Sequence, residues 1–295
     1  MVFLILSILC STAIVLIFRL FSRYGINSLP AITVNYLICV LCAWGALGRF
    51  PITADSPQQV WFPYAITLGF VLIIGFNLIA ATVRTFNVTV GAVMQKMSLV
   101  LTVLYTILFY DERVNAWKIL GILSALAAII LINWPRASKA EQQQTPRLWY
   151  LYLIPLLAWI MSAAMEILLF RVERLTGQNA DLSFLAFLFG TAFLLGTSRL
   201  LFAGLPFGKK QYSPFTGRDL IGGVILGVVN FGSIYFLLRT IGIGWEGSVV
   251  FPINNVSIIT LAALTAYLVF NEKLGKINIF GLALALAAIT LIALS

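Results

Sequence analysis

Lys96 and Glu166 are charged residues set within runs of sequence otherwise fit for lipid. Lys96 stands in VMQKMSLVLTVLYTILFYDER, where the nearest other charge is Asp111, and Glu166 stands in AWIMSAAMEILLF, five residues before Arg171. A charge at the bilayer centre costs at least about 2.5–3.5 kcal/mol, so such groups face a protein interior or a wet cavity and are functional candidates. An ammonium there can hold an anionic group, and a carboxylate can hold an amine or carry a proton. The competing reading of Lys96 is a structural ion pair. For Glu166 it is a side chain close enough to its helix end to reach the interface.

Amides and hydroxyls gather near these two charges. Gln95, Ser98, Thr102 and Thr106 recur at spacings of three, four and four, which sets them on one helical face as a cavity wall. At the corresponding depth of the second half, FPINNVS combines Pro252, which lacks a backbone donor, with Asn254, Asn255 and Ser257. Asn35, Tyr36, Asn77 and Asn230 are isolated polar groups in other apolar runs. Read together, Lys96, Gln95, Ser98, Asn77, Asn230, Asn254, Asn255, Asn35 and Tyr36 are candidate substrate-binding residues, and Glu166 is the candidate coupling residue. The plainer reading of any one asparagine is an interhelical hydrogen bond, worth roughly 0.6–2 kcal/mol.

The elements that must position these groups are membrane spans. Of 295 residues 61% are hydrophobic and 10% charged, and the mean hydropathy is +1.02, whereas soluble domains carry roughly a quarter charged residues. Counting crossings of about 20 apolar residues each gives ten, near 2–20, 29–48, 61–83, 87–109, 115–133, 149–170, 181–203, 219–238, 247–270 and 276–294. The first span has no basic leading region and ends on Arg19 instead of a small-residue cleavage site, so it is read as a retained helix. Trp61, Trp117, Trp134, Trp149 and Trp245 fall at predicted helix ends, where an amphipathic ring prefers the interface.

The net charge of +9 is scattered over short loops, which excludes a nucleic-acid footprint. It bears on orientation instead. Twelve cations (Arg19, Arg23, Arg84, Arg136, Lys139, Arg147, Arg199, Lys209, Lys210, Arg218, Lys273 and Lys276) fall on one side, and six (Arg49, Arg113, Lys118, Arg171, Arg174 and Arg239) on the other. By the positive-inside rule both termini then lie outside the cytoplasm.

The chain contains itself twice. DERVNAWKILGILSALAAIILI (111–132) and NEKLGKINIFGLALALAAITLI (271–292) align without a gap, Glu112 on Glu272 and Gly121 on Gly281, and from those glycines eight of twelve residues are identical. FRLFSRYGIN (18–27) likewise matches FRVERLTGQN (170–179). The expected architecture is an all-α membrane protein of ten transmembrane helices as two inverted five-helix repeats, 1–133 and 149–295, joined by a surface linker at 134–148. An odd number of crossings inverts the second repeat, and inverted pairs underlie alternating access. Glu112 and Glu272 are read as structural turns near helix N-termini, with Asn115 as a cap and a coupling site as the alternative. The small-residue faces, including Gly223 and Gly227, are scaffold or a dimer interface.

Several functions are excluded or disfavoured. There is no histidine and no Walker A or HExxH pattern, so the chain is read as not an enzyme, with neither cofactor nor metal. Two lone charges do not line a channel pore. Cys39-x-x-Cys42 has redox spacing but lies at lipid depth, and small apolar packing is the better reading. Expected partners are a small-molecule substrate, membrane lipids and a proton or sodium ion for coupling, with no nucleic acid. The chain is expected as a monomer or weak homodimer in a bacterial cytoplasmic membrane. An uncoupled facilitator of the same fold is the alternative to a coupled carrier, and a membrane-embedded enzyme the remote one.

The two five-helix repeats, a Glu turn entering the last helix of each (Glu112, Glu272) and a basic residue ending the first helix of each (Arg19, Arg171) make the chain resemble ten-span EamA-type members of the drug/metabolite transporter superfamily. That resemblance implies secondary transport of a small metabolite without ATP, commonly export of an amino acid, sugar derivative or drug-like compound, and both termini in the cytoplasm. Two features depart from it. Leu99 and Ile259 stand where the family often has proline, and Asn35 lies in the second helix, where arginine is common.

Overall fold

The computed structural model describes residues 1–86, 88–134, 149–176, 182–203, 215–270 and 274–294. Its helices are α1 (Val2–Tyr24), α2 (Ser28–Leu47), α3 (Phe62–Thr85), α4 (Val88–Met97), α5 (Leu99–Tyr110), α6 (Ala116–Ile132), α7 (Leu153–Thr176), α8 (Leu182–Ala203), α9 (Gly217–Gly242), α10 (Gly247–Val269) and α11 (Lys276–Ala293). Among the described residues nine spans, counting Val90–Tyr110 as one, are long and apolar enough to cross a membrane, and Ala116–Ile132 is a shorter apolar tenth. At about 1.5 Å per residue α6 reaches only about 25 Å, a little short of a typical hydrocarbon core. The protein is an integral, multi-pass membrane protein with a ten-helix fold. Leu108, Phe109 and Leu268 are each 70% exposed or more, a surface suited to lipid and not to water.

One span differs from its expected form. Residues 87–109 were expected as a single helix, but α4 and α5 are separate pieces with Ser98 as a turn between them. The Ser98 hydroxyl donates to the Gln95 carbonyl at 2.7 Å, and a side chain inserted into the backbone ladder is a recognised cause of a helix break. Glu272 and the rest of its turn lie outside the described residues, as do 135–148 of the expected linker.

The helices form two compact units, Met1–Ile73 with Leu168–Gly244 and Ile74–Ile167 with Trp245–Ser295. Each draws on both halves of the chain. In the first, missing side chains let α2 and α9 meet closely. A Cβ on Gly223 would fall 2.6 Å from the Ala31 carbonyl oxygen, and one on Gly227 would fall 2.6 Å from Ile38 Cβ. This small-residue face is therefore used inside the unit. Antiparallel to α9, α1 adds a hydrogen bond from Ser7 Oγ to the Ser233 carbonyl at 3.0 Å.

In the second unit α6 packs on α11 in a reciprocal way. A Cβ on Gly121 would meet Ile292 Cγ1 at 2.6 Å, and one on Gly281 would meet the Ile132 backbone nitrogen at 2.7 Å. The start of each helix thus lies against the end of the other, so these aligned segments run in opposite directions. Gly281→Leu is expected to lower the melting temperature of the purified protein, since overpacking a close contact costs about 1–3 kcal/mol. Gly45→Leu is the control, because a Cβ on Gly45 meets nothing within 4 Å; equal shifts for both would remove the close contact as the cause.

The helix ends of this unit are tied by side chains. Asn278 Nδ2 donates to the carbonyls of Leu131, Ile132 and Trp134 at 3.2, 2.9 and 3.2 Å, closing the C-terminus of α6. Asn115 Oδ1 accepts from the Lys118 backbone at 2.7 Å as the expected cap of α6. From the turn before α6, the Glu112 carboxylate reaches α10, where it accepts from the Gly247 and Ser248 backbone at 2.6 and 2.8 Å, the favourable place for an anion on a helix dipole.

Candidate functional site

Within the second unit, the break at Ser98 places Lys96 on α4 and Thr102 on α5, while Asn255 comes from α10 and Glu166 from α7. The side chains form one chain of hydrogen bonds. Lys96 Nζ donates to Asn255 Oδ1 at 3.0 Å, Asn255 Nδ2 donates to Glu166 Oε1 at 2.9 Å, and Thr102 Oγ1 donates to Glu166 Oε2 at 2.7 Å. Both carboxylate oxygens of Glu166 are therefore held inward by α5 and α10. The charges themselves orient Asn255. Flipping its amide would turn its NH2 towards an ammonium and its oxygen towards a carboxylate, leaving both without a suitable partner.

Such an array offers a cation and an anion separated by one neutral amide. In the low-dielectric interior of a membrane protein each is strengthened as a hydrogen-bonding partner, and the bridge itself can be exchanged for a ligand that carries opposite charges. Ser98 and Thr106 of the expected stripe are fully buried. Gln95 is exposed and does not join them.

Asn254, beside the bridging asparagine on α10, is 7% exposed, and among the described residues its Oδ1 has no hydrogen-bond partner. Asn77 is half-buried on α3 in the same unit. Asn35, Tyr36 and Asn230 belong to the first unit and form a cluster of their own. There Cys39 Sγ donates to the Gly227 carbonyl at 3.2 Å and lies 3.7 Å from Asn35 Oδ1, Asn230 Nδ2 is 3.8 Å from the same sulfur, and Tyr36 stacks on Phe189 with ring centroids 6.2 Å apart. Cys39 is packed among helices with its thiol free.

Sequence reasoning missed a second polar assembly in the unit that holds Lys96. Lys118, counted before only as a loop cation, is 2% exposed and donates to the Arg113 carbonyl at 2.7 Å, to Ser248 Oγ at 3.2 Å and to the Glu246 carboxylate. Its place as the one charge in an otherwise apolar helix, at the third position of α6, was the available signal.

Comparison with known proteins agrees with this architecture. Residues 1–134 match the model of the EamA-like transporter family. An uncharacterized protein of Haemophilus influenzae is 25% identical over 291 residues, covering 97% of this chain and 95% of that protein. A protein of known crystal structure superposes with a TM-score of 0.74 at 15% identity, over 99% of this chain and 96% of that one, and so shares its fold.

Proposed function

Because residues 1–134 match the model of the EamA-like transporter family, we propose that this chain belongs to the drug/metabolite transporter superfamily and is a secondary-active exporter of a small polar metabolite, working by alternating access in a bacterial cytoplasmic membrane. The observation that carries the reading is the Lys96–Asn255–Glu166 chain, set on helices of membrane-spanning length. A solute with a carboxylate, as in an amino acid, suits the Lys96 ammonium, which it takes in place of the Asn255 bridge, while Glu166 is left to the coupling cation. Thr102, Ser98 and Asn254 supply neutral hydrogen-bonding groups near the pair.

Energy for uphill movement comes in this reading from a proton or sodium gradient, or from exchange of one solute for another, with Glu166 as the coupling group. Repeats that run in opposite directions support alternating access, because two similar units can trade conformations at nearly equal energy.

The test compares metabolites inside and outside cells expressing the protein with those of cells carrying an empty vector, at matched growth. A compound that leaves only the expressing cells names the substrate and the direction. Unchanged pools on both sides, together with no uptake of a labelled amino-acid mixture, would sink the transporter reading for this solute class.

A further inference from the structure

The first unit contains a cavity of about 520 Å³ at the ends of α2, α7 and α9 and the starts of α3 and α8. Its size falls within the range of small-molecule sites. Arg49, Arg239, Gln59 and Thr176 give it polar walls, and Trp61 and Tyr235 give it aromatic ones. Among the described residues no aspartate or glutamate lines it.

The aromatic walls are fixed. Trp61 is 4% exposed and packs on Phe184 and Phe187 with centroids 6.3 and 5.5 Å apart. Tyr235 stacks on Phe231 at 5.6 Å with the rings 11° from parallel. The Arg239 guanidinium lies over the rings of Phe3 and Tyr235, 5.9 and 5.8 Å from their centroids. Rings hold a guanidinium in place without satisfying its fork of N–H donors, which matches a carboxylate or phosphate. Arg49 adds a second cation to the same concavity, just beyond Gly48, whose φ of +70° ends α2. Two cations facing one cavity repel each other, and an anion placed there relieves the repulsion.

We propose that this cavity, bounded by Arg49, Arg239, Trp61 and Tyr235, binds the carboxylate or phosphate of an anionic molecule whose apolar or aromatic portion lies against the two rings. The cavity belongs to the first unit and the Lys96–Glu166 pair to the second, and the proposal does not depend on what that pair does. The same chemistry is offered by a soluble aromatic acid and by an anionic lipid headgroup, so the test has an arm for each.

Full-length protein in phosphatidylcholine nanodiscs is titrated with benzoate and with benzamide, its neutral isostere, by equilibrium dialysis. Protein in nanodiscs containing phosphatidylglycerol is examined by native mass spectrometry for retained lipid. The expected result is benzoate binding about tenfold or more tighter than benzamide, or retained phosphatidylglycerol, and a loss of about tenfold in whichever is seen for Arg49→Gln with Arg239→Gln. Benzoate selectivity assigns the site to soluble acids, and retained lipid assigns it to a headgroup. Benzoate and benzamide binding equally with no lipid retained, or a folded double variant that holds its anion as tightly as the parent, would overturn the proposal. The benzoate–benzamide comparison uses the unaltered protein and stands even if the double variant fails to fold.

Discussion

A Glu166→Gln protein is expected to exchange substrate across a membrane and to fail to concentrate it. The carboxylate accepts from Asn255 and Thr102, and an amide can keep only part of that pattern, since its NH2 faces donors. More important for transport, glutamine can neither bind a proton nor balance a cation within the membrane. In proteoliposomes we expect gradient-driven accumulation to fall at least about tenfold, the change made by roughly 1.4 kcal/mol, while counterflow of labelled against unlabelled substrate stays within about twofold of the parent. Full accumulation by the variant would remove the carboxylate from coupling. Loss of counterflow as well would make Glu166 a binding residue.

Lys96→Ala should weaken substrate affinity by at least about tenfold and also lower stability. Removing one member of a buried charged pair leaves the other uncompensated, at a cost of about 3–5 kcal/mol when burial is complete and less here, where Lys96 and Glu166 are partly buried. Adding Glu166→Gln to Lys96→Ala removes the orphaned charge. The double variant is then expected to melt above the single one, a coupling that a double-mutant cycle measures directly. Unchanged affinity in Lys96→Ala would refute direct contact with substrate, and additive losses in the cycle would show that the Asn255 bridge does not couple the two groups.

The charged members of the site were legible because misfits stand out in apolar sequence. Lys96 and Glu166 needed only the cost of a charge in lipid to be noticed. Their linkage was not legible. Asn255 lies 159 residues from Lys96 and 89 from Glu166, and in sequence it looked no different from Asn35 or Asn230, which cluster around Cys39 in the other unit. The match between 111–132 and 271–292 has a packing counterpart, since Gly121 and Gly281 each admit the end of the other's helix. The break at Ser98 gave no such sign. It falls one residue before Leu99, and a single hydroxyl-to-carbonyl bond accompanies the interruption. Arg49 and Arg239 were seen only as charges to be counted by side, because a cavity between helix ends has no linear signature.

The tie between Asn278 and the end of α6 has a consequence for biosynthesis. Asn278 follows Ile132 by 146 residues. At an elongation rate of about 5–20 residues per second, the carbonyls of Leu131, Ile132 and Trp134 wait roughly 7–30 s for their partner after they leave the ribosome. During that interval water at the membrane surface must satisfy them, and α6, a short apolar helix, is held by the membrane without its final neighbour. The sequence through α6 is therefore finished well before its structure is, and α6 is secured only when α11 arrives.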